Sequence, residues 1–258
     1  MQLTPNLVIR GHVVEKRGPP RALRIEAEKM QRAAAIGKAS GLFRVPELVG
    51  LDLEEGVLRM EYVRGLRGIR RVRLPTDRYL RAIEQAGEAL CRIHRDLALP
   101  SEFRLSLPDE LDHVGTGVCL HGDYSGENVC VVEREGKIQL VVIDWQTTPR
   151  IGIVATYGTR YFDIGWFIGN LFRKPVYKYL AGPAVEKAAL SFLRGYMRNA
   201  PGRDHFCGLG EYLERLCDYR LENHEKGLFF LKRMLLSPGL GAWKTFARTL
   251  DARTLENA

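Results

Sequence analysis

The spacing of hydrophobic positions changes along the chain. Near the start they come in short runs broken by turn formers: Leu7-Val8-Ile9 and Val13-Val14 around Gly11, then residues 48–53 and 57–63 around Glu54-Glu55-Gly56. Runs of this length bounded by glycine and acidic turn residues predict hairpin strands. Between them Leu23, Ala27, Met30 and Ala34 recur at the spacing of one helical face, and Pro19-Pro20 suit a first helical turn, so a helix is expected to about Ile36. Glu26 lies about 60° from Leu23 on the helical wheel and is free to face inward, whereas Glu28 points away beside Arg24 and Arg32.

Beyond about Arg64 the helical period dominates. Leu80, Ile83, Gly87, Leu90 and Leu97, with His94 on the same side, predict a buried helix over 79–97. Residues 129–144 predict a strand pair turning at Glu135-Gly136. An apolar helix is expected to begin at Asp163, whose carboxylate suits its cap, and to run to Phe172. Further helices are expected at about 184–199, 210–236 and 241–250, punctuated by Pro201-Gly202 and Pro238-Gly239. The expectation is an α+β chain in two parts: a small β-rich unit with one helix over residues 1–63, and a helical unit over 64–258.

With 45% hydrophobic residues, 258 residues suffice for a substantial core. No stretch has the uninterrupted apolar length of a membrane span, and Met1-Gln2-Leu3-Thr4-Pro5 lacks a secretory pattern, so a cytoplasmic address is expected. Five cysteines without a Cys-x-x-Cys pair suggest neither a disulfide framework nor a zinc site. The net charge is +8. It is concentrated in Arg64, Arg67, Arg70, Arg71, Arg73, Arg78 and Arg81, against the single acid Asp77. This cluster reads either as a solvated surface or as a site for an anionic partner, nucleic acid or membrane, although Tyr79 is its only aromatic.

The chemistry is concentrated in Leu120-His121-Gly122-Asp123-Tyr124-Ser125-Gly126-Glu127-Asn128-Val129, followed by Asp144 at the end of the apolar run Val141-Val142-Ile143. Chance alone would give the His-Gly-Asp-x4-Asn pattern in on the order of one chain per thousand. Asp123 can take the proton of a hydroxyl, Asn128 can reach a magnesium ion with its amide oxygen, and Asp144 can bridge metal and phosphates. Together they point to phosphoryl transfer, which asks mainly for positioning and for neutralisation of negative charge.

His121-Gly122-Asp123 with Asn128, the Ile143-Asp144-Trp145 segment, the Gly87-to-His94 helix, and Phe162-Asp163-Ile164-Gly165 resemble the aminoglycoside phosphotransferase family and its choline-kinase-like relatives. The resemblance implies a two-lobed protein-kinase-like fold with a reduced β-rich first lobe and a helical second lobe. It also implies an enzyme that uses ATP and Mg2+, with Asp123 as base, Asn128 and Asp144 on metal, and nucleotide between the lobes. The phosphate-binding lysine and its helix carboxylate map to Lys16 and Glu26, with Arg17 the competing cation. The adenine-binding hinge maps to Glu61-Tyr62-Val63. His121 and Asp163 take structural roles, Asp163 bracing the catalytic loop. The pattern departs in one place: Gly11 is present but no glycine-rich phosphate loop, so the expectation is either looser nucleotide binding or phosphates held by Arg10, Lys16 and the metals.

No Ala-Pro-Glu tripeptide follows Asp144, which favours a small-molecule acceptor over a protein. Glu211, Glu214, Asp218, Glu222 and Glu225 share one helical face; Asp218, Glu222 and Glu225 are the candidate contacts for an amine-bearing acceptor, while the arginine cluster would suit a phosphorylated or lipid one. Two further readings stand beside the small-molecule kinase: an atypical protein kinase or ATPase within a macromolecular, tRNA-modification-like assembly, and a nucleotide-binding pseudokinase.

Overall fold

The computed structural model describes residues 6–72, 76–112, 117–145, 155–173, 183–200, 206–223 and 230–252. The first part holds strands β1 (Leu7–Arg10) and β2 (Val13–Arg17), helix α1 (Pro20–Ser40), and strands β3 (Leu48–Asp52) and β4 (Val57–Glu61). These strands form one antiparallel sheet in the order β1-β2-β4-β3. α1 outruns its expected end by one turn and stops at Gly41, which takes the left-handed conformation (φ 68°) and donates its N–H to the Gly37 carbonyl.

The second part begins with β5 (Arg67–Gly68) and α2 (Thr76–Asp96), then single 3-10 turns at Ser101–Phe103 and Asp109–Leu111 and strand β6 (Gly117–Cys119). Next come β7 (Val129–Arg134), β8 (Lys137–Val142), β9 (Tyr157–Thr159), α3 (Tyr161–Phe172), α4 (Pro183–Asn199), α5 (Leu209–Asn223) and α6 (Phe230–Ala252). β7 and β8 form the expected hairpin, with β5 on its outer edge, and β6 pairs with β9. The three short strands β5, β6 and β9 carry no period long enough to read in the sequence.

Two helix expectations need correction. α3 starts before Asp163, at Tyr161, and its N-cap residue Arg160 makes no side-chain cap, so Asp163 is freed for another task. α6 runs straight through Pro238-Gly239, where a break was expected. Leu240, Trp243, Phe246, Ala247 and Leu250 are all buried in the main core, and that burial outweighs the local breaker. Among the described residues no helix is long and apolar enough to cross a membrane.

One continuous buried cluster runs from Leu23, Ile25 and Met30 of α1, through Ile83, Ala86 and Leu90 of α2, to Phe162, Phe167 and Trp243. α2 and α4 cross at backbone contact. A Cβ on Gly87 would lie 2.0 Å from the Phe192 carbonyl, and one on Gly195 would lie 2.0 Å from that of Glu84, so both crossing points require glycine. This scaffold carries the loop between β6 and β7, where the motif lies.

Candidate active site

The loop that follows β6 is fixed through its backbone. The His121 and Gly122 amides donate to the two carboxylate oxygens of Asp163 at 2.7 and 2.9 Å, and Asp163 is wholly buried. Gly122 sits at φ 88°, a conformation that disfavours any side chain and explains the glycine of the motif. The Asp123 amide donates to His121 Nδ1 at 3.2 Å, so Nδ1 is the acceptor and Nε2–H donates to the Ile143 carbonyl, also at 3.2 Å. Asp163 therefore braces this loop rather than capping α3, and His94 and Tyr196 extend the same buried chain of hydrogen bonds.

Asp123 itself is held by two neutral donors. Trp166 Nε1–H donates to Oδ1 at 2.5 Å and Asn128 Nδ2 to Oδ2 at 2.8 Å, the same amide also reaching the Asp123 carbonyl at 3.0 Å. A carboxylate offers about four lone-pair directions, and these two donors fix the orientation of the Asp123 carboxylate.

The β7–β8 hairpin brings the other two motif residues together. Val129 pairs with Val142, which sets Asn128 opposite Ile143, and the Ile143 amide donates to the Asn128 carbonyl at 3.0 Å. Asp144 follows at φ 61°, a left-handed strain that a non-glycine residue holds only where its surroundings dictate it. Its Oδ1 accepts from Lys16 Nζ at 2.9 Å, and the same ammonium donates to Glu26 Oε1 at 2.7 Å. Burial opposes the Lys16 charge, but Glu26 and then Asp144 outweigh it and hold the ammonium above its ordinary range. Arg17, the competing cation, is exposed.

The donor set suits a hard divalent cation. The Asn128 amide turns its nitrogen to Asp123, leaving Oδ1 on the opposite branch, and Asp144, the residue after Ile143, whose amide bonds the Asn128 carbonyl, supplies a carboxylate. Magnesium is commonly held by one or two such oxygens together with substrate phosphates and water, so the absence of a dense cluster of acidic, His or Cys side chains among the described residues is compatible with it.

Strand register places the remaining expectations. Lys16 stands opposite Leu7 and Leu58, whereas Arg10 pairs with Val13, which in turn pairs with Glu61. Arg10 and the Gly11 turn thus lie at the Glu61 end of the sheet, away from Lys16, and Arg10 pairs with Glu15, so the expectation that Arg10 holds phosphates is corrected. On the Lys16 face the next row is Ile9, Val14 and Met60. Val63 packs in a separate buried cluster with Cys130, Val132 and Val141, and Ile143 leans against them. The Glu61 and Tyr62 amides donate to the carbonyls of Glu47 and His12, at 2.9 and 2.8 Å. The Glu61 carboxylate is bound to Arg44.

Two charge readings change. Arg70 and Arg71 both pair with Glu127, inside the motif, at 2.8 and 2.7 Å, Arg78 with Glu133, and Arg81 with Asp77. Arg64 and Arg67 stay exposed, and Arg73 lies outside the described residues. The cluster therefore fastens the molecule to itself to a large extent, and the expected anionic partner gains no support. On α5, Glu211 pairs with Arg215, Glu214 with Arg248, and Asp218 with Lys244 at 2.5 Å. Cations of α6 thus offset much of the acidic face; Glu222 is exposed and Glu225 falls outside the described residues.

The sequence reading missed Trp166, Asn170, whose Oδ1 accepts from the Gly126 amide at 3.0 Å, and Lys29, whose Nζ donates to the His121 carbonyl at 2.7 Å. For Trp166 and Asn170 the only signal is their position on α3, three and seven residues after Asp163.

Burial, reinforced by Lys29, pushes the His121 imidazole down from 6.5 to about 4. The unfolded chain then binds more protons between these values, so this group makes stability fall as pH drops from about 6.5 to 4 and leaves it unaffected above that window. The expected loss is about 3 kcal/mol. Urea unfolding of wild type and His121→Gln across that range should show the slope in the former and a flatter one in the latter.

No protein-family model matches the sequence, and a search of curated proteins finds no match. Solved structures do match over nearly the whole chain. A choline/ethanolamine kinase family protein from Mesorhizobium loti superposes with a TM-score of 0.55 at 13% identity, covering 96% of this chain and 89% of the other. A glucosamine kinase, solved with glucosamine, ADP and inorganic phosphate, gives 0.56 at 17% identity, covering 95% and 78%. At such identities the likeness shows the fold: the chain is two-lobed and protein-kinase-like, with a small antiparallel sheet and, among the described residues, six α-helices.

Proposed function

We propose that the chain is an ATP- and Mg2+-dependent phosphotransferase that moves the γ-phosphoryl group to a hydroxyl of a small molecule. The observation that carries this reading is the convergence of two separate charge systems: Lys16 bridging Glu26 and Asp144, and Asp123 oriented by Asn128, whose carbonyl accepts from the amide of Ile143, the residue before Asp144. Residues 1–63 act as the nucleotide side and 64–258 as the acceptor side. Adenine lies between the apolar row Ile9, Val14 and Met60 and the Val63–Ile143 surface, hydrogen-bonded by the Glu61-Tyr62-Val63 backbone. Lys16, set by Glu26, takes the α- and β-phosphates.

Asn128 Oδ1 and the Asp144 carboxylate hold magnesium, which supplies charge neutralisation to the phosphates. Asp123 accepts the proton of the acceptor hydroxyl as its oxygen attacks the γ-phosphorus, the bond from that phosphorus to the β-phosphate oxygen breaks and ADP leaves with the electron pair, while His121 and Asp163 keep the loop in place. The two solved kinases that share the fold act on small hydroxyl compounds by their names, which supports this acceptor class. Of the acidic candidates for an amine-bearing acceptor, Asp218, Glu222 and Glu225, the first is already paired with Lys244 of α6. A cytoplasmic address, where ATP is supplied, belongs to the same reading.

Magnesium with ATP is expected to raise the melting temperature, as any ligand selective for the native state does, and Asp144→Ala to remove the magnesium-dependent part of that rise. An ATP-consumption screen over sugars, amino sugars, amino alcohols, nucleosides and lipid headgroups then identifies the acceptor. No thermal response to Mg-ATP in the wild type overturns the reading, and turnover only with added protein or RNA replaces the small-molecule acceptor with a macromolecular one.

A further inference from the structure

α1 carries two charged side chains into the interior. Glu26 reaches Lys16, and three residues on, Lys29 is completely buried with its Nζ 2.7 Å from the His121 carbonyl, in a loop 92 residues away in sequence. Met30 and Ala33, on the same face, are what a helix uses for packing. An ammonium removed from water is a costly substitute for such residues unless its charge and its protons are used. Burial pushes it down to about 8 against the opposing pull of Asp163 and Glu26.

The use is visible in one peptide group. The bond between His121 and Gly122 has its carbonyl on Lys29 and its N–H on Asp163, at 2.7 and 2.9 Å, so it is held from both sides. It precedes a glycine at φ 88°, the residue type whose flanking peptides meet the least steric resistance to turning over. Turning it over would break both bonds and redirect Asp123, the next residue.

We propose that Lys29 is a positioning residue: by clamping the His121–Gly122 peptide it orients Asp123, and because it shares α1 with Glu26 it makes the seating of that one helix a condition for both the phosphate side and the base side of the site. The orientation of Asp123 matters for turnover only if the phosphotransferase reading holds. The clamp itself is independent of it.

Lys29→Met keeps length and apolar bulk and removes the donor. Amide hydrogen exchange at Gly122 and Asp123, which needs no acceptor, is expected to speed up by at least about tenfold, and unchanged exchange overturns the clamp. With the acceptor found by the screen, kcat is expected to fall about 10- to 100-fold, while the KM for ATP and the Mg-ATP thermal shift change little. A variant that loses stability but keeps kcat would make Lys29 a packing residue and end the proposal. Lys29→Arg, which restores charge and donor, should recover most of kcat, and Lys29→Gln should recover less. Should Lys29→Met fail to fold, that pair decides, equal kcat in Arg and Gln variants counting against the proposal. Absence of turnover in the wild type would remove the phosphotransferase reading and leave the exchange experiment to judge the clamp.

Discussion

Asp123→Ala is expected to lower kcat by about 10²- to 10⁴-fold, the range contributed by a positioned general base, while Mg-ATP still raises the melting temperature as in wild type. The substitution is expected to leave the nucleotide side intact, because Lys16 bonds both Glu26 and Asp144, whereas the Asp123 carboxylate accepts from Trp166 and Asn128. Asn128 also keeps an anchor, since its Nδ2 donates to the backbone carbonyl of residue 123 as well as to the carboxylate. Alanine is a cleaner probe than asparagine here. Both carboxylate oxygens accept from N–H donors, Trp166 and Asn128, so an amide at 123 would set its NH2 against one of them. Single-turnover kinetics with the identified acceptor, beside a thermal-shift titration with Mg-ATP, separate the two effects. Turnover retained within a few-fold would remove Asp123 as base.

The motif was legible because its chemistry sits in a few residues at fixed spacing. His121, Gly122, Asp123 and Asn128 are close in sequence, and the β7–β8 hairpin that brings Asp144 to Asn128 follows from alternation around Glu135-Gly136. Lys16 and Glu26 were legible for a different reason: a strand followed at once by a helix with an inward carboxylate leaves little choice of partner. Arg10 was misplaced because the sequence shows that two strands flank Gly11 but not which end of the sheet the turn occupies. Only the register Arg10-Val13-Glu61 fixes that.

Lys29 was missed through the wheel itself. A stripe drawn through Leu23, Ala27, Met30 and Ala34 is centred on apolar side chains alone. The buried residues of α1 also include Ile25, Glu26, Lys29 and Ala33, which move the centre of the buried face toward Glu26 by roughly 60°. Glu26 lies close enough to the apolar stripe to be read as inward, whereas Lys29, roughly 120° from Leu23 on the wheel, carries no mark in a hydrophobic pattern. The arginine cluster errs in the opposite sense. Charge counted along the chain looked free, yet Arg70 and Arg71 meet Glu127, more than fifty residues downstream, and tie the motif loop down.

Lys16→Met is expected to destabilise the fold by about 3–5 kcal/mol at neutral pH and to abolish the Mg-ATP thermal shift, and the two losses have separate causes. The first arises from Glu26, which is 2% exposed and faces the Lys16 ammonium. Burial already pushes the Glu26 carboxyl upward, with Lys16 the largest opposing influence and Asp144 adding to the push. Without Lys16 the folded chain therefore holds a proton on Glu26 that the unfolded chain, at its ordinary 4.5, releases. More protons bound in the folded state make stability fall as pH rises, so the gap from wild type should be smallest near pH 4.5 and widen toward pH 7. Glu26→Gln in the Lys16→Met background removes that buried ionisable group and should restore much of the stability and flatten the pH slope. It supplies no cation for the phosphates, so the Mg-ATP shift should stay absent. Urea unfolding of the single and double variants at several pH values, paired with nucleotide titration, reads both effects. Recovery of the ATP response in the double variant would show that Lys16 acts only by neutralising Glu26 and holds no phosphate.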